Sequence, residues 1–503
     1  MKNKKFGLIL ILSLLFVVTD CRAQNAPTDR KPAVAGQFYP AQKDELRRTL
    51  QNLFARANPS RNIKNVVAII SPHAGYVYSG EVAASSFNQI DPAKAYDNIF
   101  VLGPSHRVDF QGAAVYSQGN YVTPLGPVIV NRDLAEQLVK NFKVFCNRVD
   151  AHLYEHSVEV QLPFLQYIMQ KEFRIVPIVV GSGTAETYIQ IAEALRPHLN
   201  PRNLFIISTD FSHYPAYDDA RIVDKATAEA ILSNSPANLI KTLKNNDAKG
   251  IPNLATSMCG WACVLTLLYM TQYHSQVSYT AIQYKNSGDV DIGNKDQVVG
   301  YYAIAVSLNA NKKKAEFNLR ERDKKDLLDI ARQTIEQYVK SHTVPQLDLS
   351  KFSATLKDNH GAFVTLKKHH ELRGCIGRME ADEPLYAVVQ QMAIAAATQD
   401  YRFPPVKPEE LNQLEIEISV LTPMRRIDSI EEIEMGRHGI YIRKGMNAGT
   451  LLPQVANETG WSKEEFLGYC AQEKAGLGWN GWKDAEIYVY ETVVFSEKTT
   501  AKK

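Results

Sequence analysis

The segment NVVAIISPHAG (Asn65–Gly75) sets out the pattern on which the first half of the chain is built. It begins with a short, almost continuous apolar run and ends in polar residues and glycine, which is typical of a strand buried on both faces of a sheet. Similar runs alternate with helical patterns: the runs are Asn98–Leu102, Phe173–Val180 and Asn203–Ile207, and the helical patterns are Gly80–Ile90, Asp133–Phe142 and Thr184–His198. This alternation predicts an α/β fold with helices covering the sheet, closed by a strand at Gln297–Leu308.

A histidine follows three of these predicted strands. His73 comes after the first strand, His106 after Asn98–Leu102, and His213 after Asn203–Ile207. In an open α/β sheet, ligands bind in the crevice beyond the carboxyl ends of the strands. A single histidine in such a place is often only a loop residue, but three in equivalent places predict a shared metal or catalytic site.

Cys259 is the next candidate for this site. It precedes an apolar helical segment, Trp261–Met270, and the partial positive charge at a helix N-terminus lowers the pKa of a thiol and favours the thiolate. A thiolate in this position would bind a metal ion or attack an electrophile. The alternative is a buried, inert thiol, which is the interpretation we prefer for Cys263, one turn further into the helix.

The sequence HLYEH (His152–His156) matches the H-x-x-E-H pattern of one class of zinc peptidases. That chemistry needs both histidines on one helical face. Because Pro163 is tolerated only in the first turn of a helix, the helix is expected to begin near Ser157 as its N-cap, with His152 in the preceding loop. We therefore favour a supporting role, in which Glu155 and His156 face the crevice and orient the metal ligands.

The composition is that of a globular protein. The 503 residues include 57 basic and 54 acidic side chains, a net charge of +3, and 45% of them are hydrophobic. These values exclude disordered and collagen-like chains, and they give no positive field of the kind that nucleic-acid-binding proteins carry. The six cysteines are too few and too scattered for a disulfide scaffold.

A lysine-rich connector, Asn309–Ala315, separates the second half of the chain. This half lacks the parallel alternation of strands and helices and predicts a smaller α+β domain. Its expected elements are an amphipathic helix at Arg320–Ser341, a capping box at Ser462 and Glu465, and strands at Gly361–Lys367, Leu414–Thr422, Ile440–Arg443 and Ala485–Val494. We therefore expect a first domain over residues 28–308, a linker over 309–315 and a second domain over 316–497.

The first residues have the pattern of an export signal. Three lysines in Met1–Lys5 precede an apolar run, Phe6–Val18, which is shorter than a membrane span, and small residues suit cleavage after Ala23. We predict a signal peptide over residues 1–23 and an exported protein of the periplasm or cell envelope, with no later transmembrane span. Lipid attachment through Cys21 is the less favoured alternative.

The first half resembles the Memo-like family, known in bacteria as AmmeMemoRadiSam system protein B. The matching segments are PAVAGQFYP (Pro32–Pro40), SPHAGYVYSG (Ser71–Gly80), LGPSH (Leu102–His106), EHSVEVQLPFLQ (Glu155–Gln166), STDFSHY (Ser208–Tyr214), SMCGW (Ser257–Trp261) and VVGYYA (Val298–Ala303). The resemblance implies a class III extradiol dioxygenase-like sheet with helices on both faces. It also implies His73, His106 and Cys259 as ligands of a copper or iron ion, with His213 as an acid/base group and Asp210 beside it.

A cysteine in this ligand set bears on the reaction. The dioxygenases hold iron(II) with two histidines and a carboxylate, whereas a thiolate with two imidazoles suits Cu(I), Zn(II) or a differently tuned iron. The resemblance therefore implies a redox-metal site more firmly than ring cleavage, and it leaves the substrate unknown.

The second half resembles the AMMECR domain, system protein A of the same set. The matches are GAFVTL (Gly361–Leu366), LRGCIGRM (Leu372–Met379), YRFPPV (Tyr401–Val406), LEIEISVLTP (Leu414–Pro423), HGI (His438–Ile440) and EKAGLGW (Glu473–Trp479). We expect a cleft there in which Arg373 holds an anion and Cys375 is either a nucleophile or a buried thiol, with Arg402 and Glu417 as further members. The name of the set implies a radical SAM enzyme as partner, which is at odds with export.

Two functions remain open from the sequence. The first is an oxidoreductase in which His73, His106 and Cys259 hold copper or iron, and His213, with Asp210 orienting it, moves a proton for a small-molecule substrate or O2. The second is a protein that captures the metal ion or recruits a partner without turnover. A third interpretation, hydrolysis by Cys375, predicts that electrophiles label that thiol.

Overall fold

The computed structural model describes residues 28–272, 274, 276–308, 319–379, 383–427 and 429–500. The expected signal peptide (1–23), with Cys21, and the expected linker (309–315) lie outside the described residues. Among the helices of the described ranges, none has both the length and the apolar character needed to cross a bilayer.

The first domain is built on an eight-stranded mixed sheet with the strand order β6-β3-β7-β2-β8-β1-β10-β9. Strands β7, β2, β8 and β1 are parallel. At one edge β10 runs antiparallel to β1, and β9 runs antiparallel to β10 and so in the direction of the central strands. The strands, including a separate β4–β5 hairpin, are β1 (Val66–Ser71), β2 (Asn98–Pro104), β3 (Ala113–Val115), β4 (Tyr121–Thr123), β5 (Gly126–Val128), β6 (Phe145–Cys146), β7 (Ile175–Val180), β8 (Asn203–Ser208), β9 (Val277–Asn286) and β10 (Gly300–Leu308).

Helices cover both faces of this sheet. Adjacent β1 residues point to opposite sides: Ile70 packs in one core with Ile191 and Val264, and Ile69 packs in the other core with Leu50. The predicted α/β fold with helices on both faces is therefore confirmed. The helices are α1 (Lys43–Arg56), α2 (Tyr76–Phe87), α3 (Arg132–Asn141), α4 (Asp150–Leu153), α5 (Leu162–Ile168), α6 (Ala185–Leu195), α7 (Tyr217–Leu232), α8 (Pro236–Ala248) and α9 (Trp261–Thr271).

The second domain is α+β, as predicted, with two four-stranded sheets of order β12-β11-β13-β18 and β14-β17-β15-β16. Its helices are α10 (Glu321–Ser341), α11 (Ala354–Lys357), α12 (Leu385–Thr398), α13 (Pro453–Thr459), α14 (Lys463–Tyr469) and α15 (Glu497–Thr500). Its strands are β11 (Ala362–Lys368), β12 (Glu371–Arg378), β13 (Leu414–Leu421), β14 (Arg425–Ile427), β15 (Gly439–Lys444), β16 (Asn447–Leu451), β17 (Glu486–Tyr490) and β18 (Thr492–Ser496). The predicted capping box of Ser462 and Glu465 opens α14.

The single strand expected at Ala485–Val494 is wrong. The chain leaves one sheet after β17 and enters the other as β18, and Glu491 lies at the crossing, where its carbonyl accepts the N–H of Thr422. Both strands are apolar and only one residue separates them, so the sequence pattern gives no sign of the change of sheet.

The expectation for His152 and Ser157 is also wrong in its local structure. His152 lies in the short helix α4 rather than in a loop. Ser157 is not an N-cap: its hydroxyl donates to the carbonyl of Pro104 (2.9 Å), and a single 3-10 turn, Glu159–Gln161, precedes α5. Both ring nitrogens of His152 are used, one by the Tyr121 hydroxyl (2.7 Å) and one by the carbonyl of Ala114 (3.1 Å). His152 is therefore a structural residue. Neither of its ring nitrogens is left to bind zinc, which agrees with the argument that HLYEH is not a peptidase motif here.

Candidate metal centre

The carboxyl ends of three adjacent parallel strands bring the predicted histidines to one edge of the sheet. In the strand order β2-β8-β1, His106 follows β2, His213 follows β8 and His73 follows β1. Cys259 reaches the same edge from the other direction, one residue before Gly260, the N-cap of α9. The four residues that the sequence analysis singled out therefore converge at this edge.

His73, His106 and Cys259 form a compact group. One possible ligand atom from each lies within 4.8 Å of the other two, and His73 Nε2 lies 3.2 Å from Cys259 Sγ. Metal bonds to imidazole nitrogen and thiolate sulfur are about 2.0–2.3 Å long, so ligand atoms around one ion lie roughly 3–4 Å apart. The spacing and the donor types of these three residues fit a soft or borderline transition-metal ion.

Burial sets the protonation of the two inner members of the group. The His73 side chain is only 2% exposed, and burial, followed by the neighbouring His106, holds its pKa well below the usual value, so the ring is neutral. Burial raises the pKa of the Cys259 thiol. The lowered thiol pKa expected from the helix N-terminus is therefore wrong for the metal-free protein. Desolvation, followed by the charge of Asp210, outweighs the hydrogen bond that the Asp210 N–H donates to the sulfur (3.3 Å).

Glu155 holds His106 in place. Its carboxylate accepts hydrogen bonds from His106 Nδ1 (2.9 Å), from the backbone N–H of His106 (2.6 Å) and from the N–H of Ser157 (2.9 Å). Burial alone would raise the pKa of Glu155, but the hydrogen bond and charge of His106 prevail and lower it to about 2. An ionised carboxylate accepts only, so His106 carries its proton on Nδ1 and leaves Nε2 free for a ligand.

His156 lies against both ligand imidazoles. Its ring stacks on His106 at a centroid distance of 4.6 Å and meets His73 edge-on at 5.3 Å. Burial, followed by His73, lowers its pKa to about 3. His106, Glu155 and His156 also have possible ligand atoms within 4.8 Å of one another, so Glu155 and His156 lie where the sequence analysis expected supporting groups.

Asp210 and His213 lie beside this group, but Asp210 does not bond His213 as expected. Its Oδ1 accepts the backbone N–H groups of His73 (2.7 Å) and Ala74 (3.3 Å), so it fastens the turn that carries His73. Burial raises the pKa of Asp210 and lowers that of His213. Within the described residues the buried His213 Nε2 has no hydrogen-bond partner, and Asp210, His213 and Cys259 have possible ligand atoms within 4.8 Å of one another.

Several residues that shape this centre were missed in the sequence. Glu159, which is fully buried, pairs with Arg30 and accepts the N–H groups of Ala33 (2.8 Å) and Val34 (3.1 Å), and this ties the start of the described chain to the segment after Glu155. Ser208 at the end of β8 contacts His73 Nδ1 (2.9 Å). In the sequence, Ser208 and Glu159 were visible only as members of the motifs that match the family. A serine or a glutamate in a motif does not show which distant residue it will contact.

In the second domain the expected anion partner of Arg373 is a residue of the chain itself. The Arg373 guanidinium makes two bonds to the Glu410 carboxylate (3.1 and 2.9 Å), and this pairing lowers the pKa of Glu410 to about 2. Glu410 therefore occupies the guanidinium in this conformation, and the binding of an external anion by Arg373 stays a prediction. Glu417 is likewise paired, with Lys367 (2.9 Å).

Cys375 lies on β12, partly buried. Its sulfur accepts a hydrogen bond from the Thr365 hydroxyl (3.2 Å), and its N–H donates to Asp400 (2.8 Å). Arg402 binds Asp400 (2.7 Å) and the carbonyl of Cys375 (3.2 Å), and its hydrogen bond holds the pKa of Asp400 below its usual value. The structure thus brings Cys375 and Arg402 together, and no general base contacts the sulfur in the described residues.

Sequence comparisons agree with this division of the chain. The profile of the Memo-like protein family matches residues 30–305, and the AMMECR1 profile matches residues 328–495. A MEMO1 family protein of Thermoplasma acidophilum is 34% identical over 276 residues, which is 55% of this chain and 97% of the relative. One of Methanosarcina barkeri is 36% identical over 280 residues, 55% of this chain and 99% of the relative. A solved structure of an uncharacterized Pyrococcus horikoshii protein is 36% identical, covers 37% of this chain and 96% of its own, and has a TM-score of 0.35.

Proposed function

The chain belongs to the Memo-like protein family and joins to it an AMMECR1 region, and from this premise we propose that it is a metal-dependent redox protein. In this proposal His73, His106 and Cys259 hold one copper or iron ion, and the protein oxidises a small molecule with O2 as electron acceptor. The observation that supports it most is the convergence of two imidazoles and one thiol, with ligand atoms within 4.8 Å of one another.

The donor set suits copper and iron, which change their oxidation state, as well as zinc, which does not. Imidazole and thiolate together favour copper or a thiolate-tuned iron over magnesium or calcium, which require oxygen ligands. A redox ion in this place would exchange electrons with O2 and a reductant. The chain supplies the surroundings: Glu155 keeps the Nε2 of His106 free, and the neutral His213, whose buried Nε2 has no hydrogen-bond partner in the described part of the chain, accepts or donates a proton beside the ion.

The second candidate is capture of the ion without turnover. Two imidazoles and a thiolate are a complete ligand set for Cu(I), and His73 is closed off at 2% exposure while the His106 side chain is 29% exposed. An ion held in this way would be shielded on one side and reachable on the other. This arrangement serves delivery and storage as well as it serves catalysis.

Elemental analysis and spectroscopy of natively purified protein test the metal site. We expect about one copper or iron per chain, and loss of that ion in Cys259→Ala. The matched control is Cys263→Ala, which removes a fully buried thiol one turn away and leaves the metal content unchanged. Absence of any transition metal, both in native protein and in protein reloaded anaerobically with Cu(I) or Fe(II), contradicts the proposal.

Oxygen consumption separates the two candidates. With ascorbate as reductant, a redox catalyst consumes O2 and loses this activity in Cys259→Ala but not in Cys263→Ala. A protein that holds its ion and leaves the O2 concentration unchanged is a capture protein.

We further propose that the protein works outside the cytoplasm, as the sequence of residues 1–23 predicts. Fractionation of cells that produce the full chain tests this location. Recovery of the protein from the cytoplasm would contradict this location. It would also place the protein in the compartment where radical SAM enzymes work.

A further inference from the structure

We propose that Ser208, itself oriented by Gln161, is a positioning residue that fixes His73 in the tautomer with its proton on Nδ1, so that a bare Nε2 faces the metal centre. The consequence for metal binding rests on the proposed function. The tautomer does not, because it is a property of the metal-free protein.

The ring of His73 has two close polar neighbours. Nδ1 lies 2.9 Å from Ser208 Oγ, and Nε2 lies 3.2 Å from Cys259 Sγ. A neutral imidazole carries one proton, on either nitrogen, and serine and cysteine can each donate or accept. The two distances alone therefore do not identify the tautomer, and the remaining partners of Ser208 are needed.

The single proton of the Ser208 hydroxyl is already committed. Ser208 Oγ lies 2.6 Å from the backbone carbonyl oxygen of Ser157, and a carbonyl can only accept. The hydroxyl proton must point to that oxygen, because otherwise two buried acceptors would face each other at hydrogen-bond distance. Ser208 Oγ is then an acceptor towards all its other neighbours, including His73.

Gln161 supplies the second bond to Ser208. Its Nε2 lies 2.9 Å from Ser208 Oγ and 2.9 Å from the carbonyl oxygen of Pro72. The amide cannot be flipped, because its oxygen would then face the Pro72 carbonyl. Both amide protons are therefore used, one on each of these acceptors.

The hydroxyl oxygen of Ser208 has two lone pairs, and one of them receives the Gln161 amide. The second receives the proton on His73 Nδ1, which completes one donated and two accepted bonds. All these groups are buried: Ser208, Ser157 and Gln161 are each 0% exposed. The single proton of the neutral His73 ring is therefore on Nδ1, where it is donated to Ser208. Nε2 is unprotonated and faces Cys259, and an unprotonated ring nitrogen is what a metal ion binds.

Nuclear magnetic resonance of metal-free protein tests the tautomer directly. Long-range 1H–15N correlation of the imidazole, assigned with His73→Gln, distinguishes a protonated Nδ1 from a protonated Nε2. We expect Nδ1–H in the wild-type protein, and Nε2–H overturns the proposal without any mutation of the positioning residues.

Ser208→Ala and its matched control Ser71→Ala test the consequence of the tautomer for metal binding. Ser71 and Ser208 are register partners on adjacent strands, both are fully buried, and the Ser71 hydroxyl has no hydrogen-bond partner in the described residues. We expect Ser208→Ala to populate the Nε2–H form and to bind Cu(I) about 10- to 100-fold more weakly, with Ser71→Ala unchanged in both. An unchanged tautomer in Ser208→Ala overturns the proposal. Protein that shows the Nδ1–H form but binds no metal supports the tautomer and contradicts the proposed function instead.

Discussion

Asp224 is a buried carboxyl that the metal centre does not use. Its Oδ1 accepts the N–H of Ser212 (2.9 Å) and its Oδ2 accepts the hydroxyl of Tyr284 (2.8 Å). Burial nevertheless raises the pKa of Asp224 from 3.8 to about 7. When folding raises the pKa of a group, protonation of that group stabilises the folded state. This contribution is complete at pH values below the pKa in the unfolded chain, and it is lost as the pH rises to the pKa in the folded protein. The stability of the first domain therefore decreases through Asp224 as the pH rises from about 4 to about 7.

Asp224→Asn removes this titration. We expect the free energy of unfolding of the variant, relative to wild type, to increase from pH 5 to pH 7 by up to about 1.4 kcal/mol per pH unit. Urea unfolding at pH 5, 6, 7 and 8 measures the difference. The control is the exposed Asp150, whose pKa is lowered by Arg148, so that Asp150→Asn gives a constant difference over this range. A constant difference for Asp224→Asn as well would show that the carboxyl is ionised throughout.

At the scale of single residues, the sequence predicted which side chains converge at the sheet edge better than it predicted their contacts. His73, His106 and His213 could be placed because each follows a recognisable strand end. The direction of each side chain could not, because it depends on partners far along the chain: His106 is oriented by Glu155 and His73 by Ser208. The raised pKa of Cys259 follows from burial, which the helix-start pattern does not reveal.

Helices α2 and α9 begin beside the metal centre, and both have glycine as N-cap. The two glycines differ in the space around them. A Cβ on Gly260 would lie 2.6 Å from the Cβ of Thr209 and 2.7 Å from the carbonyl oxygen of Ser208, whereas a Cβ on Gly75 would come no closer than 3.8 Å to Phe38. Close approach of α9 to the end of β8 is therefore what brings the Cys259 sulfur to the histidines.

Gly260→Ala tests this packing. We expect the added methyl group to push the start of α9 away from β8, to cost about 1–3 kcal/mol of stability and to weaken Cu(I) binding at least tenfold. Competition with a Cu(I) chelator measures the affinity, and thermal unfolding measures the stability. Gly75→Ala is the matched control, since it loses the same N-cap residue without a collision. Equal effects of the two substitutions would mean that the N-cap, and not the contact with β8, is responsible.

At the scale of elements, continuous apolar runs identified the buried strands because both faces of the parallel sheet are covered. The prediction of elements failed where the course of the backbone changes but the residue types along the chain do not. The β17–β18 region is one apolar run in the sequence but two strands of different sheets, and the segment after His152 forms a single 3-10 turn before α5. Where a strand or helix is interrupted in this way depends on the sheet or loop that packs against the segment. The local sequence does not contain that information.

The whole molecule consists of two units with separate hydrophobic cores. The first unit has a core on each face of its sheet, containing residues such as Ile70 and Ile69, and the second has its own, around Val364 and Ile442. An ion pair between Arg196 and Glu486 is one of the contacts that join them. The α/β followed by α+β organisation could be predicted because the rhythm of strands and helices changes after residue 308.

Separate cores imply that the metal centre needs only the first unit. Every possible ligand of the centre, from His73 to Cys259, lies within 28–308, and nothing in the described part of the second domain reaches these residues by a hydrogen bond. We therefore expect the segment 28–308, produced alone, to fold cooperatively and to bind Cu(I) with the affinity of the full chain, within about threefold. The segment 316–503 is expected to bind none at this affinity. A large loss of affinity in 28–308, with its unfolding transition unchanged, would mean that the second domain acts on the centre through the interface at Arg196, and Glu486→Gln in the full chain would then reproduce that loss.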